Sequence, residues 1–501
     1  MTRWGAGYVT DVSYVPGYYV EQSPVHMVLA ARLAGVACDM PDDDDPVHYL
    51  ELGCGLGIVA LTLAASNPAW RITGIDFNPA HIATARALAR QAGIANVTFI
   101  EADLASLPES RAADAIPEAD FVSVHGLWSW VSPTVQAGIV RLLRDKVRAA
   151  GVVHISYNAL PGWQASLGMQ RLVRAAGLAQ SGRSDRRVAA GFEIVRALHA
   201  AGARHLTGNV EALLRGLPDM PRAYLAHEFM NACWAPAFHA DVAASFSEAK
   251  LEWIGSGRLL ENFPELTLTA AQREVYDRVD DPLYRELVKD LCLARSLRHD
   301  LFVRGGQRLG GMDRNAALHE IVLLATVAAD EFRYEIELAE GKAALQREFY
   351  DAVMTALAAG PRSAGELLAL PETAARRDNP AELLGILVGT GQAIPVLRPE
   401  APPEPTAAAL NRILAEAFGN LAQRGRTLAL AAARLGAGLP ASAFDLFVHE
   451  RVQRGEDDGC LDVWTAALGD GLEPTAKDQL RQLLGRTFRS RLPIFRAAGV
   501  L

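Results

Sequence analysis

An alternation of predicted strands and helices between residues 47 and 157 constrains the fold of this chain more than any other feature. Apolar runs of strand length stand in VHYLELG, RITGIDF, VTFIEADL, ADFVSVHG and GVVHISYN, and helical patterns such as NPAHIATARALARQAG separate most of them. Repeated β–α units form a parallel sheet that helices cover on both faces. We therefore predict an α/β protein whose parallel sheet is covered by helices on both faces.

Two further strands are predicted downstream, in KLEWIGSG (250–257) and DLFVRGG (300–306). The segments 164–250 and 258–299 predict mainly helices. We expect the two late strands to complete a seven-stranded sheet whose order is interrupted by helical insertions. The alternative is a separate α-helical domain over 164–310 in which the short strands are incidental.

The region after residue 310 is predicted to be mostly α-helical. Its order of elements over 343–398 is typical of a winged-helix-like unit, but AELLGILVGTG carries no Lys or Arg, which favours a packing or partner module over a DNA reader. The sequence divides into five predicted regions: an N-terminal segment with the Rossmann-like core (1–163), helical insertions with the two late strands (164–310), a helical and winged-helix-like domain (311–398), a Pro-rich linker (399–406) and a C-terminal helical domain (407–501).

The composition excludes several classes of protein. Of the 501 residues, 50% are apolar and the formal net charge is −9, so we expect a large core and no nucleic-acid partner. The 5 cysteines form no C-x-x-C pair, which is typical of a reducing compartment. The N-terminus lacks the pattern of a secretory signal, and no apolar run reaches the ~18 residues of a transmembrane helix. We expect a cytoplasmic protein without membrane insertion.

A glycine-rich loop, ELGCGLG, joins the first strand to the following helix. Its glycines, Gly53, Gly55 and Gly57, permit a tight turn and the close approach of a ligand to the backbone. The dinucleotide fingerprint G-x-G-x-x-G/A requires a small residue one position later, where Ile58 stands. The loop therefore follows a different pattern, G-x-G-x-G.

Three acidic residues accompany this loop. Asp76 ends the second strand, where a carboxylate can accept both ribose hydroxyls of a nucleoside. Asp103 ends the third strand and can accept from an adenine amino group, and Glu51 precedes the loop. This negative charge disfavours a pyrophosphate and favours a nucleoside with a sulfonium and an amino-acid tail, so S-adenosylmethionine is preferred to NAD. The alternative is that the acids only cap the following helices.

At these residues the chain resembles a known family. ELGCGLG, GIDFNP and EADL are similar to the first three motifs of Rossmann-like, class I S-adenosylmethionine-dependent methyltransferases. HGLWSWVSP, SYNALPGW and AYLAHEFMNACWAPAFHADVAASFSEAKLEWIG resemble bacterial methyltransferases that carry a methyltransferase regulatory domain, and this likeness runs to about residue 310. It implies S-adenosyl-L-methionine as cofactor and methylation of protein lysines, as in members that act on outer-membrane proteins. It also implies a homodimer and a protein substrate with exposed or unfolded lysines.

The motifs and the resemblance together give a predicted cofactor site. Phe77 is expected to pack on the adenine, Leu104 to supply an adenine-facing amide, and His125 with Gly126 to face the methyl group. The full predicted set is Glu51, Gly53, Cys54, Gly55, Gly57, Asp76, Phe77, Asp103, Leu104, His125 and Gly126.

The acceptor site is predicted at the carboxyl ends of the fourth and fifth strands, where ligands of open α/β sheets bind. HGLWSWVSP and YNALPGW follow these strands, and they give the predicted catalytic set: His125, Trp128, Trp130, Tyr157, Asn158 and Trp163. An aromatic pocket lowers the pKa of a lysine amine, whose neutralisation from its usual pKa costs about 4–5 kcal/mol at pH 7. Aromatic faces also attract the methylated cation, by about 0.5–2 kcal/mol each.

Each of these functional roles has a structural alternative. The tryptophans can be packing under a lid, and for His125, a candidate proton acceptor, a structural hydrogen bond is favoured over catalysis. HEFMNAC (227–233) lacks the second histidine of H-E-x-x-H, and the aspartates of MPDDDDP predict a solvated turn, so no metal site is expected. For the whole chain, a small-molecule N- or O-methyltransferase and a non-catalytic interaction protein with a nucleotide fold remain alternatives.

Overall fold

A seven-stranded sheet forms the centre of the molecule. The structure is a computed structural model that describes residues 7–12, 16–41, 46–206, 208–338, 341–423 and 425–501, so the aspartates at 42–45 lie outside the described residues. The strands are β1 (His48–Leu52), β2 (Arg71–Asp76), β3 (Val97–Glu101), β4 (Ala119–Val124), β5 (Val147–Asn158), β6 (Leu251–Ser256) and β7 (Leu297–Arg304).

The strand order is β3-β2-β1-β4-β5-β7-β6. Strands β1 to β5 pair in parallel, whereas β7 is antiparallel to both β5 and β6. The predicted Rossmann-like sheet of seven strands is confirmed. Because β5 and β7 are paired along the whole of Leu297–Val303, the late strands are not incidental, and the alternative of a helical domain without sheet strands is wrong.

Helices cover the two faces of the sheet. Asn78 accepts a hydrogen bond from Ala80 N at the start of the helix after β2, and Ser132 caps the helix after β4 just before Pro133. These caps fix where the chain turns back from each strand end. The helices of this part are α1 (Pro24–Leu33), α2 (Ile58–Ser66), α3 (Pro79–Gln91), α4 (Arg111–Asp114) and α5 (Pro133–Lys146).

Two groups of helices are inserted around β6, as the sequence predicts. The first group has five helices, of which the first four pack around an apolar cluster that includes Val173, Phe192 and Phe229, whereas the fifth packs against the sheet through Phe246. It comprises α6 (Leu167–Leu178), α7 (Ser184–Ala200), α8 (Gly208–Gly216), α9 (Arg222–Phe229) and α10 (His239–Ser247). The second group comprises α11 (Pro264–Thr267), α12 (Ala270–Tyr276) and α13 (Pro282–Cys292).

Helix α13 buries a charged side against strand β7. Arg298 on β7 donates to Glu286 at 2.7 Å and to Asp290 at 2.8 Å, both on α13, and to Asp300 of its own strand at 2.9 Å. All four side chains are buried. Burial alone would raise the pKa of Glu286, but three cations, with Lys289 of α13 the strongest, outweigh it and lower the pKa to about 2, so this network stays charged.

The C-terminal region combines helices with short strands. Strands β8, β11 and β12 form a three-stranded antiparallel sheet, and β9 pairs with β10. Its first elements are α14 (Gly311–His319), β8 (Val322–Ala325), β9 (Glu335–Leu338), β10 (Gly341–Ala344), α15 (Arg347–Ala358), β11 (Arg362–Ser363), α16 (Ala364–Leu368), α17 (Pro380–Gly389) and β12 (Ala393–Val396). A winged-helix-like unit at this place stays a prediction.

A β-hairpin lies in the last segment, for which only helices were expected. Helix α18 also begins at Pro405, inside the predicted linker. The elements are α18 (Pro405–Phe418), β13 (Leu428–Ala432), β14 (Ala437–Ala441), α19 (Ala443–Gln453), α20 (Leu461–Leu468) and α21 (Pro474–Ala497). None of the described helices is both long enough and apolar enough to cross a bilayer.

This hairpin is attached to the sheet domain by hydrogen bonds. Asn67, at the end of α2, donates to the carbonyl of Gly436 at 2.9 Å. Tyr18, in the segment before α1, donates its backbone N–H to Thr427 and accepts from Gly438 N at 2.9 Å through its hydroxyl. The C-terminal region and the sheet domain therefore share one hydrophobic core, which extends from Tyr18 to Val500.

Candidate active site

The glycine loop between β1 and α2 is held in a left-handed conformation. Gly53, Gly55 and Gly57 have φ values of 75°, 53° and 73°, which side chains other than glycine rarely adopt. A Cβ at Gly57 would lie 2.7 Å from the ring of Phe99, whereas a Cβ at Gly55 would meet no atom within 4 Å. The inner side of the loop is therefore closely packed, and its outer side at Gly55 faces open space that a ligand can fill.

Asp76 is fixed beside this loop. Its carboxylate accepts from Gly55 N at 2.9 Å and from Asn78 N at 2.8 Å, and His81 Nδ1 lies 3.4 Å from one oxygen. Two backbone donors keep the carboxylate oriented toward the open side of the loop. An oriented carboxylate of this kind suits the paired hydroxyls of a ribose.

The other acids also hold backbone amides. Glu51 accepts from Ala60 N at 3.1 Å at the start of α2, and burial raises its pKa to about 8. Asp103 is exposed and accepts from Ala105 N at 2.9 Å. Each acid therefore accepts a backbone N–H, as the capping alternative predicts. The exposed carboxylate of Asp103 still has oxygen lone pairs that can accept from a ligand.

The remaining predicted cofactor residues frame the same strand ends. Cys54 and Leu104 are buried, and Phe77 meets the ring of Tyr8 edge-on, with 5.7 Å between the centroids. The glycine loop with an open outer side and the oriented Asp76 fit S-adenosylmethionine, because they provide close backbone approach and an acceptor for its ribose.

A cavity of about 560 Å³ opens at the carboxyl ends of β4 and β5. It contains five of the predicted residues: His125, Gly126, Trp130, Asn158 and Trp163. It adjoins the glycine loop, because a Cβ at Gly53 would lie 3.1 Å from Leu127, the neighbour of Gly126. The predicted cofactor residues and the predicted acceptor residues thus lie next to one another.

Two predicted catalytic residues are not among those that line the cavity. Trp128 is buried in the core and meets Phe246 edge-on, with 5.4 Å between the ring centroids. Tyr157 donates its hydroxyl to Asp300 and is buried in the ion network. Trp128 is thus a packing residue, whereas Trp130 lines the cavity, although both belong to the same turn.

His125 lines the cavity as a neutral imidazole. Its Nδ1 lies 2.9 Å from Ser156 Oγ, and the ring of Tyr19 lies against it at a centroid distance of 4.1 Å. Burial and the nearby Arg258 lower the pKa of His125 to about 3. Such an imidazole is a weak base at neutral pH, which argues against the predicted role of His125 as proton acceptor.

Sequence reasoning did not assign several residues that line the cavity. Tyr19 comes from the N-terminal segment, Tyr224 and Glu228 from α9, and Glu261 with Arg295 from the segments that flank the second helical group. Burial raises the pKa of Glu228 to about 7. Their distance along the chain explains the omission, since no local pattern connects them.

Trp234 supports the aromatic wall from behind. Its ring stacks on Trp130 at a centroid distance of 6.2 Å and meets Trp163 edge-on at 5.2 Å. Such contacts are worth about 0.5–1.5 kcal/mol beyond burial, and they fix the orientation of both cavity tryptophans.

A cluster of histidines lies beneath the cavity. Of the residues described, His125, His154 and His299 have nitrogens within 4.8 Å of one another. His154 Nε2 and His299 Nδ1 are 3.1 Å apart, and Ser123 Oγ lies 3.3 Å from His154 Nδ1. These hydrogen bonds account for both ring nitrogens of His154, so the cluster is explained by packing. The segment HEFMNAC contributes no ligand to it.

Comparison with known proteins identifies the family. Family models match a methyltransferase domain over residues 50–151 and a predicted methyltransferase regulatory domain over residues 221–304. The uncharacterized protein sll1526 of Synechocystis is 33% identical over 366 residues, 73% of this chain and 71% of that protein. The chain belongs to the S-adenosylmethionine-dependent methyltransferases with a regulatory domain. In this methyltransferase, the regulatory match contains α9, α13 and β7, which carry much of the cavity and its ion network.

Other relatives extend the likeness. The uncharacterized protein RP028 of Rickettsia prowazekii is 29% identical over 164 residues, 33% of this methyltransferase and 61% of that protein. The structure of PKMT2 from Rickettsia typhi in complex with AdoHcy covers 97% of this chain and 99% of its own, with a TM-score of 0.69 at 15% identity. The shared fold therefore includes the C-terminal region as well as the sheet domain.

Proposed function

We propose that this methyltransferase transfers the methyl group of S-adenosylmethionine to the side-chain amine of lysine in a protein. The observation that carries the proposal is the aromatic cavity at the ends of β4 and β5, directly beside the glycine loop. An amine acceptor must be desolvated and brought close to the methyl carbon, and this cavity is built for both tasks.

The cofactor end holds the methyl donor. Gly55 leaves room at the backbone and Asp76 presents an oriented carboxylate to the ribose. The donor supplies an electrophilic methyl carbon on a sulfonium. Gly126, whose N–H donates to Ser156 Oγ at 2.8 Å, keeps the turn after β4 close to this point.

The acceptor end excludes water from the amine. Trp130, Trp163, Tyr19 and Tyr224 supply aromatic walls, and cation–π attraction retains the methylated ammonium at about 0.5–2 kcal/mol per ring. The amide nitrogen of Asn158 has no hydrogen-bond partner among the described residues, so it can orient a substrate carbonyl or hydroxyl.

The likeness to PKMT2, whose structure holds AdoHcy, supports the donor site. Substrates of the outer-membrane class with exposed or unfolded lysines and a homodimer are proposals that rest on the family resemblance, and a cytoplasmic location is a proposal that rests on the composition.

Labelled cofactor and mass spectrometry test the proposal. The purified protein is incubated with methyl-labelled S-adenosylmethionine and denatured bacterial outer-membrane proteins, with D76N as the matched inactive control. We expect label on lysine side chains for the wild type and a strongly reduced amount for D76N. Transfer to small molecules with none to any protein would contradict it.

A second candidate is a small-molecule N- or O-methyltransferase. The cavity of about 560 Å³ favours it, because this volume lies within the range of ordinary small-ligand sites. The two candidates differ in the label experiment, which distinguishes protein-bound from free label.

A further inference from the structure

Glu228 is a carboxylate without a partner inside the cavity. Among the described residues it forms no side-chain hydrogen bond and no ion pair, and it lines the cavity together with Tyr19 and Tyr224. Glu261, which lines the same cavity, differs: it pairs with Arg295 at 2.7 Å and accepts from Ser256 Oγ at 2.9 Å. The two carboxylates share a cavity, but only one of them is neutralised by the chain itself.

Glu228 is half-buried, and a carboxylate that loses water contacts without gaining a partner costs free energy. Burial is the cause that raises the pKa of Glu228 to about 7. The charge of Glu228 contributes, after burial, to the raised pKa of Tyr19 and Tyr224, so these phenols stay protonated at neutral pH. Tyr8 is affected in the same way.

The other charged or titratable groups of the cavity do not compensate this charge. His125 is neutral at pH 7, and Arg295 is engaged by Glu261. Arg258 faces the cavity from the segment after β6, at an exposed position, and acts on the pKa of His125. Glu228 is therefore neutralised either by a proton, which its raised pKa favours, or by a positively charged ligand.

We propose that Glu228 binds the methyl acceptor as a primary alkylammonium ion and removes its proton before methyl transfer. The inference rests on the proposed function only in taking an amine as the acceptor. The amine enters the cavity as an ammonium ion, and Glu228 converts it to a nucleophile.

The proton transfer is balanced within the site. An N–H bond of the ammonium breaks, its electron pair stays on nitrogen, and an O–H bond forms on Glu228. The neutral amine then carries the lone pair that attacks the methyl carbon, and Glu228 returns its proton to water after product release. Glu228 suits this role better than His125, because a base is most effective when its pKa is close to the working pH.

Calorimetry on the full chain tests the binding step without turnover. The protein is saturated with S-adenosylhomocysteine and titrated with N-acetyl-lysine methylamide or with its neutral counterpart, N-acetyl-norleucine methylamide. We expect the wild type to prefer the lysine probe by about 10- to 100-fold, the range of one charge-assisted hydrogen bond. E228Q should lose this preference, E228D should retain part of it, and E248Q, at an exposed position after α10, should behave as the wild type.

Proton release distinguishes the proposed role from a structural one. Glu228 is mostly protonated at pH 6, so pairing with an ammonium ion must expel about one proton per bound probe. The binding heat of the lysine probe at pH 6 should therefore change between phosphate and Tris buffers for the wild type, and not for E228Q. Absence of a cation preference in the wild type, or its persistence in E228Q with unchanged S-adenosylhomocysteine affinity, would overturn the proposal.

The outcome is separable from that of the proposed function. Cation binding through Glu228 without label on any protein lysine would retain this inference and refute the lysine of proteins as acceptor. Label on protein lysine at equal rates in the wild type and E228Q would retain the function and refute the role of Glu228.

Discussion

The cofactor end and the acceptor end of the site are built in opposite ways. The cofactor end uses residues from one continuous stretch, 51–104, and each of its acids already accepts a backbone N–H. The acceptor end collects residues from between 19 and 297 and depends on side chains of inserted helices. On the proposed function, local backbone geometry holds the donor and tertiary packing forms the acceptor cavity, so substitutions at the two ends should have different effects.

The largest expected effect concerns the ion network under the acceptor end. R298A should lower the free energy of unfolding by about 3–5 kcal/mol, because it leaves Glu286, Asp290 and Asp300 buried without their shared cation. Urea unfolding measures it. R308A, which removes an exposed pair with Glu252, is the control and should cost about 0–1 kcal/mol. Equal losses of unfolding free energy in R298A and R308A would show that the buried network contributes no more than the exposed pair.

The two tryptophans of one turn should separate stability from turnover. W128A should cost about 3–5 kcal/mol of unfolding free energy, because Trp128 is packed in the core. W130A should cost less and should lower turnover about tenfold or more, since it removes a wall that desolvates the amine. The affinity for S-adenosylhomocysteine should be unchanged in W130A. Wild-type turnover of W130A would show that the cavity is not the acceptor site.

At the cofactor end, the expected loss is one of binding. D76N should weaken S-adenosylhomocysteine binding about 10- to 100-fold, because a neutral amide replaces the charged acceptor of the ribose hydroxyls. Calorimetry measures the affinity, and D114N, on the exposed side of α4, is the control. Unchanged affinity in D76N would refute the ribose role.

The smallest effect on stability is expected at the open side of the loop. G55A should cost about 1–2 kcal/mol for its left-handed backbone, and so should G93A, which also has a positive φ and no atom within 4 Å of an added Cβ. Only G55A should also weaken S-adenosylhomocysteine binding. A thermal melt and a titration for each variant compare the pair, and an equal affinity of both would show that the ligand lies elsewhere.

The same contrast explains what sequence reasoning could predict. Strands β1 to β5 could be predicted from local apolar runs. The glycine loop and Asp76 could be predicted because the spacing of the glycines reflects the backbone conformation of the loop. The turn WSW could not be resolved, because a single helical turn directs Trp128 to the core and Trp130 to the cavity, and no pattern distinguishes the two positions. Glu228 was not assigned because its meaning depends on a cavity that segments remote in sequence complete.

The hairpin β13–β14 was missed for a different reason. LALAAARLGAGLPA is rich in Ala and Leu, which favour helices, and its strand conformation is stabilised by contacts with Ser66, Asn67 and Tyr18. Tertiary context here overrides a local preference that points the other way.

Tyr18 connects the C-terminal region to the cavity at the ends of β4 and β5. Its backbone and hydroxyl are bonded to the hairpin, while the next residue, Tyr19, forms part of the acceptor wall. A substitution or a transplanted segment near residue 438 can therefore shift an aromatic ring in the cavity without altering any residue that lines it. On the proposed function, the C-terminal region is thus coupled to the acceptor cavity through two consecutive residues, although it supplies none of the described residues that line it.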